Sequence, residues 1–108
     1  MPIPDPQALL LPVLRMMADG IDHLSNDMRK TIALDFNITS EEQALKQRSG
    51  STVLTNRVAW ALAYLNMAKA ITKMKKGVYR IADRGIAILE AYKDRPEITN
   101  KDLESFKL

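Results

Sequence analysis

The run TVLTNRVAWALAYLNMA at residues 52–68, followed after Lys69 by AITKMKKGVYRI at residues 70–81, decides how the rest of the chain is read. The first segment holds neither Gly nor Pro and is rich in Ala and Leu, so it predicts one long helix from about Thr52 to Ala68. At about 100 degrees per residue, Leu54, Arg57, Val58, Trp60, Ala61, Tyr64, Leu65 and Ala68 share one broad side, expected to face a core. Thr52, Thr55, Asn56, Ala59, Ala63 and Asn66 fall opposite, on a face polar or small throughout that suits a groove. The second segment predicts two short strands, Ala70 to Lys73 and Val78 to Ile81. They join through Met74, Lys75, Lys76 and Gly77, with Gly where a hairpin needs positive φ.

Charge is segregated around these two elements. Residues 45–84 hold nine of the sixteen Lys/Arg residues and a single acid, Asp83. The 44 residues before them sum to −4, this block to +8 and the rest to −1, so the net +3 conceals a basic middle third. A localised basic block attracts phosphate without making the whole surface adhesive, which suits nucleic acid, although a merely solvated basic surface has the same composition.

Further out, Leu9, Leu10, Val13, Leu14 and Met17 recur at helical spacing after a Pro-rich arm, predicting a helix over about 6–18 that stops at Asp19-Gly20. Ser25 is the expected N-cap of a second helix lined by Met28, Ile32, Ala33 and Phe36 and ended by Asn37. Thr39 or Ser40 caps a short third helix with Glu41 and Glu42 in its first turn, and residues 47–51 read as a loop. After the hairpin, Ala82 or Asp83 opens a helix whose inward residues are expected to be Ile86, Leu89 and Tyr92, running to Asp94-Arg95-Pro96. Thr99 and Asp102 resemble a capping box for a terminal turn around Leu103 and Phe106.

The fold class that follows is mainly α with a small β-hairpin. Its order of helix, helix, short helix, long helix, basic hairpin and helix is that of a winged helix-turn-helix, in which the long helix enters the major groove and the wing contacts backbone. Lys69, Lys73, Lys75, Lys76, Arg80 and Arg84 fall on and around the hairpin, where a wing meets phosphates. The expected division is a winged-helix domain over 1–95, with 96–108 a linker or terminal helical turn toward a further domain.

Asn56 to Leu65 (NRVAWALAYL), then Ala68, Gly77-Val78-Tyr79-Arg80-Ile81 and Gly85, resemble the N-terminal domain of Mrr-type restriction proteins. Leu11-Pro12-Val13-Leu14, Ala18-Asp19-Gly20, His23, Phe36, Ile38-Thr39 and Glu41-Glu42 are similar to that domain's opening, so the likeness spans nearly residues 3–90. The resemblance implies a winged-helix DNA-binding module, joined in the family to a metal-dependent nuclease domain acting on modified foreign DNA. The family often has a basic residue entering the long helix, where this chain has Ser51-Thr52, so contact there is expected to be weaker.

The candidate DNA-binding residues are Thr52, Thr55, Asn56, Arg57, Lys73, Lys75, Lys76 and Arg80. Asn56 offers a carboxamide that can hydrogen-bond adenine N6 and N7. Thr52 and Thr55 sit where free helix amides favour phosphate, or serve only as caps. Arg57 reaches either a phosphate or an acid of the first two helices. Lys73, Lys75, Lys76 and Arg80 have the electrostatic case, through counterion release. Trp60 and Tyr64 are expected in the core rather than as a base-stacking platform, with Tyr79 packed inward from the wing. The methionines read as core or fringe packing, and His23 as a structural hydrogen bond.

Catalysis within the 108 residues is not expected. Pro4-Asp5 is the lone Pro-Asp pair, no acid-x-Lys follows it, and the chain has one His, no Cys and no phosphate-binding glycine loop. No cofactor is expected in this chain, a divalent metal belonging only to an absent nuclease domain. The expected partner is double-stranded DNA, modified or unmodified, with homo-oligomerisation open. No apolar run reaches membrane-spanning length and the first residues lack a signal-peptide pattern, so the expectation is a cytoplasmic protein. Two other readings remain open, a protein-interaction or dimerisation module and a transcriptional regulator.

Overall fold

The computed structural model describes residues 5–44, 52–95 and 97–106, and the loop predicted over 47–51 lies outside them. Helix α1 runs from Pro6 to Met16. Asp5 caps it by accepting a bond from the Ala8 amide at 2.8 Å, and Pro6 sits at the first helical position, where its missing N–H costs nothing. Leu9, Leu10, Leu11, Val13 and Leu14 are buried, and α1 packs chiefly against α4, Val53–Met67.

Helix α2, Ser25–Asp35, buries Met28, Ile32 and Ala33 as predicted, and Asn37 adopts φ +52 just beyond its end. The expected cap is displaced by one residue. Leu24 occupies the cap position with no side-chain bond, and Ser25 is the first helical residue. The cause is a two-residue strand, β1 (His23–Leu24), that the sequence did not announce. It holds the chain extended up to Leu24, and the Ser25 amide donates to Gly77 O (2.9 Å). Helix α3, Ser40–Gln43, begins with a reciprocal box in which Thr39 Oγ1 accepts from the Glu42 amide and Glu42 Oε1 from the Thr39 amide.

Strands β2 (Ile71–Lys75) and β3 (Val78–Ile81) form the hairpin, and β1 adds to the free edge of β3, giving an antiparallel sheet in the order β1-β3-β2. The turn is shorter than predicted. Only Lys76 and Gly77 connect the strands, Gly77 at φ +77, and a register irregularity between Lys73 and Lys75 takes up the extra residue. The molecule is therefore mainly helical with a small antiparallel sheet, in a winged-helix-like arrangement.

Helix α5, Asp83–Ala91, corrects a second expectation, because Ile86 is 52% exposed whereas Ile88 is fully buried. The rotation is set by Gly85. A Cβ there would run into the Ala70 carbonyl oxygen and lie 2.8 Å from Ile81 Cγ1, so the bare backbone of Gly85 must face inward and Ile86 turns away. Leu89 and Tyr92 do pack against the core, as predicted. Helix α6, Asn100–Ser105, opens with the Thr99–Asp102 capping box, and Ile98 and Leu103 are buried in the common core. Arg84 donates to the carbonyls of Leu103 (3.0 Å) and Phe106 (2.7 Å) and stacks over the Phe106 ring.

Candidate nucleic-acid interface

Helix α4 is ordered by its two ends and by one face. Thr52 at the N-cap accepts from the Thr55 amide (3.1 Å), and the chain leaves the helix through Ala68 and Lys69, the latter in the left-handed region at φ +62. The inward face is Leu54, Val58, Ala61, Leu62 and Leu65. This places the buried sector nearer Leu62 than the wheel drawn from the sequence, and the shift overturns one expectation. Trp60 is not a core residue but 48% exposed, its ring tilted against half-buried Tyr64 at 5.6 Å between centroids. The large aromatics pulled the predicted face toward themselves. Four leucines and valines at helical spacing fill the contact with α1 and α2 without an indole.

The outward face then consists of Asn56, Ala59, Trp60, Ala63, Asn66 and Met67. Among the described residues no hydrogen bond occupies the Asn56 carboxamide, which is half-buried beside the exposed Ala59 and Trp60. Met67 is exposed too, as is Met74 on the wing, so these two methionines pack less than the sequence suggested. Thr52 and Thr55 are tied to the protein itself. The Thr52 hydroxyl donates to Thr55 Oγ1 (2.6 Å), which also accepts from Arg29 Nη1 of α2 (3.1 Å), so both lone pairs of Thr55 are engaged. Arg57 is half-buried on the flank of α4.

The wing sorts its cations into two groups. Lys73, Lys75 and Lys76 are exposed and, among the described residues, make no ion pair. Arg80 instead places its Nε 2.8 Å from Asp22 Oδ1, and Arg84 is spent on α6, so two of the six basic residues assigned to the hairpin region have internal partners. The pleat accounts for the difference between Lys73 and Arg80. Tyr79 and Arg80 alternate across the strand; Tyr79, opposite Lys73 and His23 in register, packs inward, whereas Arg80 lies on the other face. His23 has the structural role expected of it, with Nε2 2.8 Å from Asp19 Oδ1. That bond, with one from the Ile21 amide, holds the Asp19 carboxyl below the usual carboxylate range.

Tyr79 joins the two halves of the candidate interface. With Ser25, Asn26 and Arg29 of α2 and Thr55, Val58, Ala59 and Leu62 of α4 it lines a narrow cleft, so the hairpin meets α4 at the edge of its outward face. The Ser25–Gly77 backbone bond holds the wing turn against the start of α2. Arg29, Ser25 and Asn26 are site-lining residues that sequence reasoning missed, and the adjacent pair Arg29-Lys30, basic in an otherwise acidic segment, was the available signal. Lys46 and Arg48 of the basic block lie outside the described residues. Among the described residues no three His, Asp or Glu side chains converge as a metal site would require, and no helix is long and apolar enough to cross a membrane.

Residues 7–91 match the family model of the Mrr N-terminal domain. No curated protein and no solved structure matches the chain.

Proposed function

The chain belongs to the Mrr N-terminal domain family and so has a role related to restriction systems; from that membership and the surface of α4 and the wing we propose that it is a double-stranded DNA-binding module. In this reading it is the target-recognition part of an Mrr-like endonuclease directed at modified DNA in the cytoplasm. The metal-dependent nuclease chemistry then belongs to a separate domain reached through the segment after residue 95. The observation that carries the reading is the juxtaposition of three lysines without an ion pair among the described residues, Lys73, Lys75 and Lys76, with the outward face of α4, through the packing of Tyr79. The lysines supply sequence-independent attraction to phosphates, each neutralised phosphate adding about −0.9 to the slope of log affinity against log salt. Asn56 supplies a bidentate donor and acceptor for a base edge, and beside it Ala59 presents only a methyl group.

A mobility-shift titration of duplex DNA with the wild-type chain and with the double variant Lys75→Glu, Lys76→Glu tests this. The wild type binds with an affinity that falls steeply with salt, and the variant does not bind. Equal binding by the two chains would remove the wing from the account.

A second reading, a protein-interaction or dimerisation surface, is favoured by one observation. Trp60 at 48% and Met67 at 67% exposure, with Tyr64 stacked on the former, make an apolar stripe beside the small residues of α4. Sedimentation showing self-association that survives high salt, abolished by Trp60→Ser and accompanied by no duplex affinity, would select it.

A further inference from the structure

We propose that the cleft between α2, α4 and β3 is a phosphate-binding site, in which Arg29 and the Tyr79 hydroxyl hold one backbone phosphate of the duplex against the start of α2. The proposal rests on the DNA-binding reading and adds to it a contact outside the residues already assigned.

Four observations converge on the cleft. Its volume is about 100 Å³, against about 30 Å³ for a water molecule in the liquid, so it has room for a group of phosphate size. Polar side chains of three elements line it, namely Ser25, Asn26 and Arg29 of α2, Thr55 of α4 and Tyr79 of β3. Arg29 is half-buried and uses one N–H on Thr55 Oγ1 (3.1 Å), and among the described residues no carboxylate pairs with it. A guanidinium has five N–H donors, and a partly desolvated cation with most of them unused gains from an arriving anion. Lastly, α2 begins without a side-chain cap, since Leu24 stands at the cap position; its first amide, Ser25 N, donates to Gly77 O, and among the described residues no side chain accepts from those of Asn26 and Asp27.

The surrounding charges agree. The wing turn, Lys76-Gly77, is held at this end of α2 by the bond from Ser25 N to Gly77 O (2.9 Å), so Lys76 adjoins in sequence a residue bonded to the cleft's Ser25. The acid of the first turn, Asp27, is exposed and two residues from Arg29, which places it on a different side of the helix. A phosphate seated here would be bridged by α2, α4 and the wing together. That bridging fixes the depth and tilt of α4 in the groove, the positioning role that phosphate contacts serve in sequence-reading domains.

Fluorescence anisotropy of a labelled duplex over a salt series, with the full chain, tests the site. Arg29→Gln is expected to weaken binding about tenfold or more at low salt and to reduce the log-log salt slope by about 0.9, equally on unrelated sequences. Arg29→Lys keeps the slope, because the charge remains. Tyr79→Phe, which removes only a hydroxyl, weakens binding a few-fold and provides the measurement if Arg29→Gln fails to fold. Arg29→Gln or Tyr79→Phe chains that melt like wild type and bind with unchanged affinity and slope overturn the cleft while leaving the DNA-binding reading intact. A wild-type chain without salt-dependent duplex affinity overturns both.

Discussion

Replacing Gly85 by Ala tests how the wing is seated on the helical body. The new methyl would overlap the Ala70 carbonyl oxygen and come within 2.8 Å of Ile81 Cγ1 and 3.1 Å of the Ala70 carbonyl carbon. Two of these three atoms are backbone, so side-chain rotation cannot absorb the clash. Relief to an ordinary separation of about 3.5 Å requires α5 to lift from the foot of the hairpin. The same displacement strains the bond from Ala82 N to Ala70 O, now 2.9 Å. Overpacking of this kind costs about 1–3 kcal/mol and the weakened bond about 1 more. The higher helix propensity of Ala returns up to about 1, leaving a net loss of about 1–3 kcal/mol. In a domain of this size that lowers the melting temperature by about 5–20 °C. Thermal denaturation followed by circular dichroism measures it, with Gly20→Ala as the comparison. Gly20 has φ +79 and nothing within 4 Å of a built Cβ, so its substitution carries only the left-handed backbone cost of about 1–2 kcal/mol. A Gly85→Ala chain melting at or above the wild-type temperature would refute the close seating of α5 on Ala70.

Two further outcomes follow from the polar groups. Arg80→Gln breaks an ion pair whose members are both about half-exposed, so stability changes by less than about 1 kcal/mol by denaturant titration. In duplex titrations it lowers the salt slope less than Lys75→Gln, which removes about 0.9. Asp102 is held below the usual carboxylate range first by the Thr99 amide, Glu42 by the Thr39 amide and Asp19 by His23. A carboxylate with a lowered folded-state pKa favours the fold above its unfolded value of about 4, and that contribution disappears as the pH falls through the folded value. Melting temperature is therefore insensitive to these groups above about pH 5 and falls below about pH 4, less steeply in Asp102→Asn.

The elements legible in the sequence are those whose signals are local. The long helix declared itself by an uninterrupted run of good helix formers between Thr52 and Ala68, the hairpin by Gly77, the start of α3 by Thr39 or Ser40 ahead of two acids, and the cap Thr99 by the acid three residues on. Illegible were features decided by a distant partner. Strand β1 has two residues and no alternation of its own, existing because His23 and Leu24 complete the edge of β3 more than fifty residues away. Whether Ile86 or Ile88 faces inward depends on the approach of Gly85 to Ala70, and the exposure of Trp60 on how Leu62 meets α2 and Tyr79. The exposure of Lys73, Lys75 and Lys76 was legible because among the described residues no acid pairs with them. Arg80 and Arg84 looked equivalent in sequence and became distinct only when folding brought Asp22 and the last carbonyls of α6 to them. Arg29 lay unnoticed on α2 for the converse reason, since the cleft it enters is assembled from three separated segments.

Backbone amide chemical-shift mapping of the chain titrated with a short duplex tests the central claim most directly. The account predicts salt-reversible shifts in Asn56, Ala59, Trp60 and Ala63 of α4 together with Lys73 to Gly77 of the wing, and little change in α6 or around Ile86. Shifts confined to α5 and α6, or no shifts at low salt, would contradict it.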